Sequence, residues 1–173
     1  VREVGFTDAF LPHRYTQNAV VYTGTHDNTT LRAWLDTLSR DDFEVLLFYL
    51  YGERPAAELL DELFSTDGTA VQCNTPATGQ PADEGTVLQA AAFKDDLCAE
   101  LIKQAFFSVA VFAVIPFQDL YALGAEARMN EPSTLGKNWT WRMPRGLFTP
   151  ECAEWLGNLV IASGRWDAYS FSK

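Results

Sequence analysis

The sequence predicts a helix-rich α/β fold in which short strands feed loops that lead into amphipathic helices. Three observations predict it. Residues 20–23 form a short β-branched and aromatic run between Asn18 and Gly24, the pattern of a buried strand. Residues 108–115 (SVAVFAVI) are almost continuously apolar and stop at Pro116, which predicts a strand covered on both faces of a parallel sheet. Stretches with apolar residues at helical spacing lie between and after these runs, so strands and helices alternate.

The elements follow in chain order. Residues 1–6 alternate weakly and could be the tail of a strand, and Leu11-Pro12-His13-Arg14-Tyr15 reads as loop. After the first strand, Leu31, Trp34, Leu35 and Leu38 predict a helix over 29–38, capped by Thr29 or Asn28. Helices are predicted over 41–51, ended by Gly52, and over 56–64, with Pro55 in its first turn. Residues 65–85 are rich in Gly, Pro, Thr and Asp and read as the longest loop. A long helix is expected over 86–107, carrying Leu88, Ala92, Leu97, Leu101 and Ile102. A short helix is expected over 120–127 and an irregular stretch over 128–145. The last helix, 149–163, has Thr149 as cap, Pro150 at its first position and Glu151 in its first turn.

Bulk properties narrow the classes of function. The chain has 173 residues, 47% of them hydrophobic, and a formal net charge of −10. That supports one domain with a real core. The acidic balance repels phosphate backbones and anionic lipid, so no nucleic-acid or membrane partner is expected. The apolar run near 106–117 is too short for a bilayer, which needs ~20 residues. Cys73, Cys98 and Cys152 stand far apart and in odd number, which suits reduced thiols in a cytoplasmic protein rather than a disulfide framework. A closed eight-stranded barrel needs ~250 residues. With two strands predicted and no initiator Met, the chain reads as a single partial domain, a piece of a barrel.

Three clusters carry polar chemistry. His26-Asp27 follows the first strand, where a βα-barrel enzyme places catalytic groups. The pair could be metal ligands, a base with its orienter or a sugar clamp; equally, His26 could be a satisfied loop residue and Asp27 a helix cap. No metal site is expected, because His13 and His26 are the two histidines and no HExxH motif or Cys pair is present. No G-x-S-x-G motif and no phosphate-binding loop occur. Gln118 and Asp119 follow the second strand and offer donors and acceptors for hydroxyls, or alternatively a loop residue and a cap. Residues 126–142 combine Arg128, Asn130, Asn138, Trp139, Trp141 and Arg142. Aromatic faces beside amides suit carbohydrate, while the arginines read better as partners of buried carboxylates or carbonyls. Asn28-Thr29-Thr30 and Asn138-Trp139-Thr140 match the N-glycosylation pattern, which arises often by chance.

These residues together resemble the 4-α-glucanotransferases, the amylomaltase or disproportionating-enzyme family. Tyr22-Thr23-Gly24-Thr25-His26-Asp27-Asn28 resembles a family signature. So do Pro116-Phe117-Gln118-Asp119, Leu123-Gly124, Glu126-Ala127-Arg128-Met129-Asn130 with Pro132, Asn138-Trp139 and Trp141-Arg142. Phe10-Leu11-Pro12-His13 and Tyr15 resemble the preceding segment. The motifs occur in the family's order, from near Phe10 to about Arg142, with 36–85 too variable to contribute. Ser133 stands where the family commonly has Gly.

The resemblance implies the C-terminal part of a (β/α)8 barrel, its last two or three βα units, and a retaining mechanism on α-1,4-glucans without metal or organic cofactor. It implies that Asp27 is the third carboxylate, a transition-state stabiliser, and that His26 shares its subsite. It further implies that Asn130 lies near the glucan, while Gln118 and Asp119, from their place after the second strand, are expected to bind substrate. The nucleophile and acid/base of the family come from strands upstream, so both are expected to be absent from this chain, leaving it inactive alone. A glucan-binding piece, a fragment that self-associates through exposed barrel edges, and another retaining α-glucosidase or amylase-type enzyme are the competing expectations.

Overall fold

The structure is a computed structural model that describes residues 11–64 and 84–166. The expected strand tail at 1–6, nearly all of the expected long loop, and Cys73 lie outside the described residues. Two strands and six α-helices occur among the described residues. They are β1 (Val20–Tyr22), α1 (Leu31–Thr37), α2 (Arg40–Tyr51), α3 (Ala57–Leu63), α4 (Glu84–Phe107), β2 (Phe112–Val114), α5 (Phe117–Leu120) and α6 (Pro150–Ala162). β1 and β2 pair in parallel, with Val20 opposite Phe112 and Tyr22 opposite Val114. Parallel pairing sends the C-terminal ends of both strands to the same side, so the loops after Tyr22 and Val114 open together.

Local chemistry sets the helix boundaries. The Ser39 hydroxyl accepts from the Asp42 N–H at 3.2 Å, and Gly52 ends α2 at φ 76° with its N–H on the Phe48 carbonyl. That left-handed conformation favours glycine. Thr149 caps α6 through the Cys152 N–H, with Pro150 in the first turn as expected. In α1 the cap is Thr30, whose hydroxyl accepts from Ala33 N–H, rather than Thr29 or Asn28. Pro55 precedes the Ala56 cap of α3 instead of sitting inside its first turn. Residues 12–14 form a 3-10 turn. The single helix expected over 120–127 is broken into α5 and a 3-10 turn at Ala125–Ala127. Between them Ala122 takes φ 46° and the Leu123 N–H returns to the Gln118 carbonyl.

α4 is the spine, with α1, α3, α5 and α6 packed against it. Leu35, Phe43, Leu63, Leu97 and Ile102 are at most 2% exposed and form the main core, with Phe43 edge-on to Phe64. Cys98 lies in that core, and burial pushes its thiol up to about 12, so it packs as a small apolar group. Lys94 is fully buried and donates to Asp36 at 2.7 Å. Arg32 bonds Asp36 and Asp95, at 2.5 and 2.9 Å. Burial works against the Arg32 cation, but its two carboxylate partners outweigh it and hold it above the ordinary arginine range. The Arg165 guanidinium donates to the carbonyls of Phe106, Ser108 and Ala110, tying the end of α6 to the exit of α4.

The second strand is shorter and more exposed than its composition predicts. Phe112 is 63% exposed and Val114 46%. Residues 108–111 are not strand. Val21 is buried in a small cluster with Ala105 of α4 and Ala110, while Val20, Tyr22, Phe112 and Val114 stay exposed. An apolar run records what a strand can bury, and its neighbours decide what it does bury.

Candidate functional site

The loop after β1 is a tight turn closed by its own side chains. The Asn28 carboxamide oxygen accepts from the Thr25 N–H at 2.9 Å and the Thr25 hydroxyl at 2.8 Å, and the Asn28 N–H returns to the Thr25 carbonyl. His26 and Asp27 occupy the turn's tip, 55% and 50% exposed in their side chains. With Thr30 capping α1, Asp27 is not the helix cap, and its carboxylate is available for other work.

The loop after α5 comes to meet it. The Asn130 amide donates to Asp27 Oδ1 at 2.6 Å, and His26 Nε2 lies 3.3 Å from the same oxygen. Asp27 Oδ2 has no hydrogen-bond partner among the described residues, and the side chain is half exposed. The Asn130 N–H donates to the His26 carbonyl. The Trp139 ring lies 5.0 Å from the His26 ring, tilted by 38°. Trp139 adopts φ 64°, a conformation costly for a bulky residue. Its N–H on the Met129 carbonyl and its carbonyl under Arg142 hold it there. A cavity of about 440 Å³ opens beside the turn, lined by His26, Thr25, Gln118, Asp119, Arg128 and Met129 among others.

Gln118 and Asp119 line this cavity while their polar atoms are engaged within the chain. Gln118 donates to the Ala127 carbonyl at 3.2 Å. Asp119 accepts from the Thr23 hydroxyl at 2.6 Å and from the Leu31 N–H at 2.8 Å. Asp119 therefore satisfies a free N–H in the first turn of α1 from across the site, rather than capping its own short helix. Spacing alone brought His26, Asp27, Gln118 and Asp119 to one sheet end. It did not reveal Thr23 or Asn28 as the groups that shape the loop; the signal was available in Asn28, a residue type that bonds backbone two or three positions away.

Burial raises the Asp119 carboxyl above its ordinary 3.8, partly offset by the bonds from Leu31 and Thr23. A raised folded-state value means that the native state binds more protons than the unfolded chain between 3.8 and that value. The Asp119 contribution to stability is thus greatest below 3.8 and declines as pH rises through the raised value. Asp119→Asn keeps an acceptor for Leu31 and lets the Thr23 hydroxyl turn to accept, so it should be mild and should remove this pH dependence. Asp119→Ala strands a buried N–H and should cost about 2–3 kcal/mol. Urea unfolding of both variants from pH 4 to pH 7 checks this; equal losses for Asn and Ala would contradict it.

No group of three or more His, Cys, Asp or Glu side chains converges to hold a metal ion among the described residues. No helix of the described residues is long and apolar enough to cross a membrane.

Residues 2–148 match the model of a family described as 4-alpha-glucanotransferase. The chain is 34% identical over 140 residues to the chloroplastic/amyloplastic 4-alpha-glucanotransferase of Arabidopsis thaliana, covering 81% of this chain and 18% of that one. It is 32% identical over 163 residues to the 4-alpha-glucanotransferase of Thermus thermophilus, covering 93% of this chain and 26% of the other. The chain thus spans about a fifth to a quarter of the length of these relatives. Among solved structures it is similar in fold to an amylomaltase from Streptococcus agalactiae in complex with acarbose. That match has a TM-score of 0.65 at 22% identity, over 93% of this chain and 25% of that one.

Proposed function

The chain belongs to the 4-α-glucanotransferase family, and from that premise we propose that it supplies one wall of the active site of an enzyme moving α-1,4-glucan segments between acceptors. In this reading it forms the last two or three βα units of a (β/α)8 barrel. The exposed apolar side chains of Val20, Tyr22, Phe112 and Val114 support a sheet that continues into further strands. The observation that carries the proposal is Asp27. Its carboxylate is fixed on one oxygen by Asn130 and open on the other, at the C-terminal end of a parallel strand, where barrel enzymes hold their catalytic groups.

The chemistry fits that geometry. Retaining transfer passes through a covalent glycosyl-enzyme, and the ring flattens and gains positive charge on the way. The nucleophile and acid/base belong to the part of the enzyme outside this segment. Asp27 Oδ2 accepts from hydroxyls of the reacting ring, and the bond strengthens as those hydroxyls grow more acidic with developing charge. His26 and Asn130 hold Asp27 and offer further donors to the sugar, with Gln118 and Asp119 fixing the cavity wall behind them. Nothing in this set needs a metal or an organic cofactor.

Maltotriose tests the proposal. The enzyme containing this segment should release glucose and build longer maltodextrins, and the 173-residue chain alone should release none. Hydrolysis without chain lengthening, or turnover by the isolated chain, would overturn it.

A further inference from the structure

We infer that Arg128 is a positioning residue for Asp27 and Asn130, an inference that rests on the reading of Asp27 above. Its guanidinium bridges two loops that the sequence separates widely. Nη2 donates to the Asp27 carbonyl at 2.8 Å, and Nε donates to the Asn130 carbonyl at 2.8 Å. Both bonds fall on the backbone of the residues whose side chains meet at 2.6 Å. One planar, permanently charged group thus fixes the separation of the two peptide units that carry the carboxylate and its amide donor. A guanidinium suits this job because its N–H groups project in fixed directions from one plane.

The alternative is a merely structural arginine, and the surroundings count against it. Arg128 is only partly buried, and its two acceptors are the backbone carbonyls of site residues rather than of the core. The described residues offer those carbonyls no other side-chain donor. Arg128 lines both the site cavity and a neighbouring one of about 570 Å³ that also reaches Arg32 and Glu126. Without Arg128 the hydrogen bonds from the partner loop to the turn tip reduce to those of the Asn130 N–H and the flexible Asn130 side chain, beside the Trp139 ring against His26. A displacement of about 1 Å in a catalytic group can lower turnover roughly 10²-fold. The second cavity also gives small solutes a route to the vacated position.

A double-mutant cycle in the full-length enzyme decides the matter. Arg128→Ala is expected to lower kcat roughly 10²-fold with a much smaller change in KM, and millimolar guanidinium should restore part of the loss. In the Asp27→Asn background the same substitution should change kcat by no more than about twofold, because the group it positions is already disabled. Additive losses, or no rescue, would overturn the inference while leaving the role of Asp27 intact. An Asp27→Asn enzyme with unchanged kcat would instead overturn the reading of the site and this inference with it. Should Arg128→Ala not fold, Arg128→Lys carries the same cycle, since an ammonium cannot reproduce the paired N–H directions; full kcat in that variant would overturn the inference too.

Discussion

Asp27→Asn in the enzyme that carries this segment is expected to lower kcat by about 10²–10³-fold, the range found when one fixed electrostatic partner of a transition state is removed. The substitution keeps size and shape. It removes the negative charge, and the charge matters most when the sugar ring is most positive. Substrate in its ground state has neutral hydroxyls that an amide oxygen can also accept, so KM should move far less. In Asp27→Asn the side chain also turns one N–H₂ toward either Asn130 or the sugar, and either choice costs a bond. Steady-state transfer from maltotriose, with kcat and KM separated, is the measurement. An equal rise in KM with kcat unchanged would make Asp27 a binding group and no more.

The largest expected loss of stability lies elsewhere, at Asp36. Its carboxylate accepts from Lys94 on one oxygen and Arg32 on the other. Lys94 has no exposed surface, and no other hydrogen-bond partner for its ammonium is present among the described residues. Asp36→Ala therefore leaves a buried ammonium without its counter-charge, a change of about 3–5 kcal/mol. Lys94→Met removes the same buried charge, keeps the stem packed on the core and leaves Asp36 its bond to Arg32. It should lie within about 1 kcal/mol of the parent, because exchanging buried charge for packed apolar volume is often neutral. Adding Lys94→Met to Asp36→Ala should recover most of the loss. Denaturant unfolding of the three variants measures this, and a double variant as weak as Asp36→Ala alone would refute it.

Much of the fold could be read from local residue types. Gly52, Thr149 and Pro150 mark helix ends because capping is local chemistry, and the helices stop where those residues stand. Long-range satisfaction was not readable. Asp119 looks like a cap for its own helix, yet it bonds the first turn of α1, a contact no spacing rule contains. The break at Ala122 was hidden for a similar reason: alanine favours helix, and the Leu123 N–H is drawn back to the Gln118 carbonyl. Within the site, the motif order pointed to Asp27 and Asn130 separately. That they touch, and that Arg128 braces both, belongs to the folded chain. The arginine was expected to satisfy carbonyls, and it does; which carbonyls is what gives it a role.

The bond between Asn130 and Asp27 joins residues 103 positions apart, and Val20 pairs with Phe112 across almost the same stretch. Contacts this distant pay their loop-closure entropy before they return any stabilisation, so they form late. Helices α2 and α6 carry their own caps and can form from nearby residues. During refolding, helical content should therefore recover before Asp27 is held in a competent orientation. On the proposed function, sugar recognition is a property of the finished topology, and binding of maltodextrin to the enzyme should report chain closure where helicity does not.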